Sequence, residues 1–165
     1  MGLSNNLALR ASFREWADIG SWQAPFAATL TLRQSVTAWS GALPVRIALT
    51  EQSASQNFRH FLNKLNRSVF GRSAQRFARG VAVIPVLEGS AGKRLHYHAM
   101  IDCPRAEQIT EFPIIVAEAW GSTQWGYGQI LVEPGADHGW LRYMTKLRDK
   151  PDFATAIDWM NLRLP

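Results

Sequence analysis

Residues 80–102, GVAVIPVLEGSAGKRLHYHAMID, hold two extended runs around a short polar break. The second run, Leu95 to Asp102, alternates along its length: Leu95, Tyr97, Ala99 and Ile101 on one side, His96, His98, Met100 and Asp102 on the other. That is the period of a strand. The SAGK turn joins the two runs into a hairpin. Pro85 in the first arm has no N–H to give a ladder, so that arm is expected at a sheet edge or a bulge. Two histidines stand two residues apart on one face, which strand structure alone does not require.

The remaining segments are arranged around this hairpin. FAATLTLR, Phe26 to Arg33, reads as another strand, and residues 34–50 as a loop with a short extended piece, VRIAL. From Ser53 to Phe70 the apolar residues Phe58, Phe61, Leu62, Leu65 and Val69 fall at helical spacing, and Gly71 stops that helix. A second helix is expected within Arg105 to Trp120, with Pro113 near its start, where proline is tolerated. QWGYGQILVE, Gln124 to Glu133, is a further strand. After PGADHG, the stretch Trp140 to Lys150 reads as a third helix. The order β-α-β-β-α-β-α predicts an α+β fold, a central antiparallel sheet with packed helices on a ferredoxin/RRM-like plan. At 165 residues this is one domain, 1–165, with a core of about 26–150 and an N-terminal extension, 1–25. No repeat, low-complexity tract or linker interrupts it.

Composition places the chain among globular proteins, since 47% of its residues are apolar. No apolar run is long enough for a membrane span, and no charged-then-apolar leader precedes a cleavage site. MGLSNN lacks the Ser or Thr that a myristoylation signal carries at its sixth position. Cys103 is the single cysteine, which excludes an intrachain disulfide and fits a reducing cytoplasm; it reads as a small buried hydrophobe. Lys and Arg number 18 against 13 Asp and Glu, a formal charge of +5. From Gln52 to Leu87 there is no acid, but Arg59, Lys64, Arg67, Arg72, Arg76 and Arg79 are present. Such a segment suits a polyanion, nucleic acid first, or forms a solvated helix face with a basic loop.

Residues i and i+2 of a strand lie about 6.7 Å apart and point the same way, so His96 and His98 can share one metal ion. Two ligands do not make a stable site, and a third is expected on a neighbouring strand. If the hairpin is symmetric about Gly92, Glu88 lies opposite His96; a one-residue slip would turn it away. Asp102 and His138 are alternative third ligands. Two imidazoles and a carboxylate suit Mn²⁺, Zn²⁺, Co²⁺ or Ni²⁺, while Mg²⁺ would need waters and a phosphate to complete its shell. Downstream, Tyr143 and Lys146 are three residues apart on the expected helix, hence neighbours on its surface. Trp140 and Leu147 flank Tyr143 and can pack that helix on the sheet. A tyrosine hydroxyl attacks poorly unless neighbouring positive charge favours its ionised form.

HYH at 96–98 resembles the His-hydrophobe-His motif of HUH endonucleases, and YMTK at 143–146 resembles the Tyr-x-x-Lys motif of their single-tyrosine Rep branch, the initiators of rolling-circle replication. FAATLTLR stands loosely in the place of the first Rep motif, and Glu88 where many Rep proteins carry an acidic metal ligand. Histidines before tyrosine is the Rep order. The resemblance spans about residues 26–150. It implies that Glu88, His96 and His98 hold a divalent ion on the scissile phosphate of single-stranded DNA at an origin or element-end hairpin. Tyr143 would then attack phosphorus to leave a 5′-phosphotyrosine, with Lys146 positioning or neutralising the phosphate. Lys93, Arg94 and Arg142 would be phosphate contacts, and Trp125 and Tyr127 a stacking platform for unpaired bases. No Walker motif is present, so a helicase would be a separate host protein. Two other readings stand beside this one: a non-catalytic, RRM-like single-stranded nucleic-acid binder, and an all-β, cupin-type metal enzyme with Asp102 as its carboxylate.

Overall fold

The computed structural model describes residues 3–89, 93–146 and 153–165. Helix α1 (Leu3–Trp16) is followed by β1 (Pro25–Leu32), a hairpin of β2 (Ser35–Ser40) and β3 (Leu43–Ala48), helix α2 (Glu51–Phe70) and the single turn α3 (Ser73–Arg76). Then come β4 (Val83–Glu88), β5 (His96–Asp102), α4 (Phe112–Gly121), β6 (Gly126–Pro134), α5 (His138–Met144) and α6 (Phe153–Ala156). Four strands form one antiparallel sheet in the order β4-β5-β1-β6, while β2 and β3 pair only with each other. The fold is α+β, with helices on the sheet, and not the all-β architecture of a cupin.

Helix α2 begins where Thr50 and Ser53 cap each other's backbone N–H reciprocally and ends at Gly71, whose φ is 61°. Its buried face, Ala54, Phe58, Phe61, Leu65 and Val69, follows the expected spacing. It packs with α4 on the sheet face formed by Phe26, Ala28, Leu30 and Leu32 of β1 and Tyr97, Ala99 and Ile101 of β5. An aromatic group ties the layers together: Phe58 lies 4.4 Å from Tyr97 and 5.3 Å from Phe61, ring centre to ring centre, and Phe61 lies 5.3 Å from Trp120. Where the β1–β6 register slips between Leu30 and Leu32, Trp120 Nε1 donates to the Thr31 carbonyl at 2.9 Å, and the Thr31 hydroxyl donates to the Gln129 carbonyl. Gly126 is required beside this slip, because a Cβ there would meet the Trp120 carbonyl oxygen at 2.1 Å.

The opposite face of the sheet carries a second core. Ile84 and Val86 of β4 and Met100 of β5 meet Phe13 and Ala17 from the chain's start, Leu141 and Met144 of α5, and Phe153, Ala156 and Ile157. Phe13 and Ala17 of the expected N-terminal extension thus contribute to this core, as does the tail after 152. That tail also covers the sheet edge. Val83 bridges Arg163, and Asp158 N–H donates to the Pro85 carbonyl at 3.0 Å. A residue's N–H and C=O point to the same side of a strand, so Pro85 takes nothing from the β4–β5 ladder. The expected edge placement holds.

Residues 34–50, expected as a loop with the short extended piece VRIAL, form the β2–β3 hairpin: VRIA lies in β3 as expected, while β2 was not foreseen, and Gly41 and Ala42 close the turn with Gly41 at φ 63°. Pro44 sits in β3 without cost, because an isolated two-stranded ribbon is all edge and tolerates proline. The expected helix at 140–150 begins earlier, at His138, and ends at Met144; Leu147 to Lys150 and the turn centre at Gly92 lie outside the described residues. Among the described residues no helix is long and apolar enough to cross a membrane.

Because Phe58 touches both α2's own neighbours and the central strand, Phe58→Ala should cost about 3–5 kcal/mol of stability. Urea unfolding should show a lower midpoint at unchanged slope; a midpoint at the wild-type value would mean that the aromatic group does not hold the layers.

Candidate metal centre and its tyrosine

The β4–β5 ladder pairs Glu88 with His96 and Val86 with His98, the register anticipated from the hairpin. Alternation buries Tyr97 in the helix-side core and turns both histidines to the opposite face. Glu88 Oε2 lies 3.8 Å from His96 Nε2 and 3.5 Å from His98 Nε2. One ligand atom from each of the three residues falls within 4.8 Å of the other two. The two rings are perpendicular, 4.9 Å apart.

The outer nitrogens fix how the rings present themselves. His96 Nδ1 is 3.0 Å from the Arg94 carbonyl, which can only accept, so that nitrogen donates there and Nε2 is the atom turned to Glu88. His98 Nδ1 is 3.1 Å from the Thr29 hydroxyl on β1. Ligating histidines are held in this way by a partner on the second nitrogen. Glu88, His96 and His98 are thus close enough to bind a metal ion, and their donor set fits a borderline divalent cation better than Mg²⁺. Gly89 turns the chain away directly after Glu88 with φ 118°; a Cβ there would sit 2.8 Å from the Arg94 carbonyl oxygen.

Helix α5 lies against this face. Asp137 caps its start by accepting from Trp140 N–H at 3.0 Å. Hydrogen bonds from the Trp140 and Gly139 N–H groups hold the Asp137 carboxyl below its usual range, with Arg142 adding to the effect. Trp140 Nε1 donates to the Ala99 carbonyl on β5 at 3.1 Å, and its ring stands 5.5 Å from His98. Tyr143 stacks on Trp140 at 5.3 Å, and its ring also lies 5.3 Å from the His98 imidazole, with 45% of the residue exposed. Lys146, one residue past the Thr145 C-cap, sets its ammonium 3.6 Å from the Tyr143 ring centre. The pairing of tyrosine and lysine survives the early end of the helix. Arg14 of α1 fastens the far side: Nε donates to Thr145 Oγ1 at 2.9 Å and Nη2 to the Arg142 carbonyl at 3.2 Å.

Lys93 and Arg94 are exposed beside the start of β5, with the Arg94 guanidinium 5.6 Å over the ring of exposed Tyr127. Arg142 is exposed next to Tyr143. Trp125 is different: it is 6% exposed, packed in the helix-side core and held by Asn57 through its N–H, so it is closed to unpaired bases. The strand it was assigned to starts one residue later. Asp102 accepts from the Ala24 and Gln23 N–H groups and anchors the start of β1, far along the strand from His96. His138 is exposed at the first turn of α5, outside the triad. Of the basic residues in the acid-free segment 52–87, Arg59, Lys64 and Arg67 lie on α2, which covers the sheet face opposite the histidines, so these three do not line this site. Sequence reading missed Thr29, Asp137 and Arg14. Of these only Asp137 had a local signal, an aspartate just before a helical run.

Cobalt absorption and calorimetry with Mn²⁺ should find one ion per chain. Thr29→Val should weaken it by about tenfold, the cost of losing an outer-shell partner, and Glu88→Gln or His98→Ala by more than 100-fold; wild-type affinity in both ligand variants would refute the centre. A second test addresses helix α5. A depressed carboxyl contributes stability that is present above its unfolded value and disappears only as pH falls through the lower folded value. The Trp140 amide should therefore stay protected through the ordinary aspartate range near 3.8 and lose protection only below it. Asp137→Asn should remove that pH dependence while keeping the cap; an Asp137→Ala variant with unaltered Trp140 exchange would show the cap to be idle.

No protein-family model matches this chain, and no curated protein or solved structure matches it either.

Proposed function

We propose that the chain is a metal-dependent, sequence-specific single-stranded DNA endonuclease and strand transferase of the HUH, single-tyrosine Rep type. The observation that carries this reading is the placement of the Tyr143 ring 5.3 Å from His98, with the Lys146 ammonium 3.6 Å above the phenol. A half-exposed tyrosine stacked on tryptophan would be unremarkable by itself. Beside a Glu-His-His triad it has a chemical use. The strand order β4-β5-β1-β6, with the histidines on a central strand, supports a ferredoxin-like plan.

Glu88, His96 and His98 would hold a divalent ion, which would supply Lewis-acid polarisation of the scissile phosphate. The Tyr143 phenolic oxygen forms a bond to phosphorus as the bond to the 3′ oxygen breaks. The phenolic proton is released, and the departing 3′ oxygen ends as a hydroxyl. Lys146 stabilises negative charge at the phenol and the phosphate. The 5′-phosphotyrosine keeps the energy of the broken bond, so a later 3′-hydroxyl reverses the step and joins strands without a nucleotide cofactor. Rolling-circle replication initiation and transposition are the processes this chemistry serves. The exposed Tyr127 and Leu131 on the uncovered part of the sheet favour a second reading, a non-catalytic RRM-like binder of single strands.

Incubation with a labelled, randomised single-stranded library and Mn²⁺ should yield a covalent protein–DNA adduct that disappears in Tyr143→Phe and forms at least tenfold more slowly in Lys146→Ala. Sequencing the captured strands gives the target. Binding without an adduct on any sequence would replace the enzyme with the binding module.

A further inference from the structure

We infer that the β2–β3 hairpin is a base-stacking finger for the single strand that flanks the scissile phosphate, with Trp39 as its contact residue and Arg46 as its phosphate contact. This rests on the nuclease reading and extends it to how the substrate is held. The hairpin leaves the sheet at the metal edge: Thr31, paired with His96, is followed within four residues by β2. Its root is clamped there. Gln34 Nε2 donates to the carbonyls of Leu32 (2.8 Å) and Leu95 (3.1 Å), Gln34 Oε1 accepts from Leu95 N–H (2.9 Å), and Leu49 N–H closes the second leg on the Gln34 carbonyl.

Beyond this clamp the ribbon pairs with no other strand among the described residues, and every residue of β3 is exposed. Trp39 is 72% exposed and Leu43 71%, both beside the turn. Register gives the ribbon two faces. Val36, Ala38, Val45 and Ile47 share one, and Val36 packs at its base against the helix-side core. Thr37, Trp39, Pro44 and Arg46 share the other, which at the ribbon's base looks away from the helix-side core. Arg46 is held along that face by its Nε–H to Ser35 Oγ at 2.8 Å.

The chemistry of the face selects the occupant. Ile19 to Thr50 contains no acid, and Arg46 lies on the same ribbon face as the exposed indole, one same-face position nearer the clamp. A flat aromatic surface beside a fixed cation matches a chain of stacked bases joined by phosphates. Five residues of strand carry Trp39 about 17 Å past the Gln34 clamp, so it meets flanking nucleotides and not the reacting one. An indole this exposed contributes little to the fold.

Binding of the full-length protein to a fluorescein-labelled 30-mer, measured by anisotropy in EDTA, separates this contact from cleavage. Trp39→Ala should raise Kd about tenfold and Trp39→Phe less than threefold, with circular-dichroism melting unchanged in both. Arg46→Gln should reduce the slope of log K against log salt by about 0.7, and it tests the finger even if Trp39→Ala melts early. Wild-type Kd and salt slope in these variants would overturn the finger. So would a wild-type dimer in sedimentation that Trp39→Ala dissociates without altering DNA affinity, since the hairpin would then hold a second copy. If the wild type binds but never forms an adduct, the nuclease reading falls while the Kd comparison still decides the finger; if it binds no single strand at all, both fall.

Discussion

Strand β5 has to satisfy two opposite surroundings at once, and the rest of the molecule follows from that. Tyr97 is fully buried between Phe58 and Trp120, and its hydroxyl reaches Asp158 at 2.9 Å. Burial and the nearby Asp158 carboxylate push that hydroxyl well above the usual tyrosine range, so it stays a neutral donor. With Tyr97 locked on the helix side, pleating leaves His96 and His98 no choice of face. The hydrophobe between the histidines is thus the anchor that aims them.

Aiming is not enough, because exposed imidazoles sample many rotamers. His98 is confined on three sides: Thr29 at Nδ1, Glu88 at Nε2, and the rings of Trp140 and Tyr143 against its own. His96 has the Arg94 carbonyl at Nδ1 and Glu88 at Nε2, with the edge of the His98 ring beside it, and remains the more open of the pair. A metal ion held by the triad would have one imidazole in a packed wall and one at the rim.

Much of this was legible in the sequence, for a physical reason. Alternation and a short hairpin turn are local properties, so the facing of His96, His98 and Glu88 could be worked out from about twenty residues. Helix α2 announced itself by its apolar spacing, and Gly71 by its place after it. What was not legible depends on contacts between distant segments. Trp125 looks like an exposed strand aromatic until Asn57, 68 residues earlier, is seen to hold its backbone. The basic run 52–87 is unmistakable, but only packing decides that α2 covers the other face. The β2–β3 ribbon buries too little to leave a clear hydrophobic signature.

The first and last parts of the chain show the same dependence on distance. The second layer on the triad face is assembled from α1, α5 and α6, with Phe13 lying 5.5 Å from Phe153. Arg14 then reaches from α1 to both flanks of Tyr143, through Thr145 and the Arg142 carbonyl. A core of residues 26–150 would keep every motif and lose this brace. The layer also ends before β6, where Leu131 is exposed on the same face as the histidines. The same layer therefore holds the tyrosine beside His98 and leaves the β6 side of this face exposed.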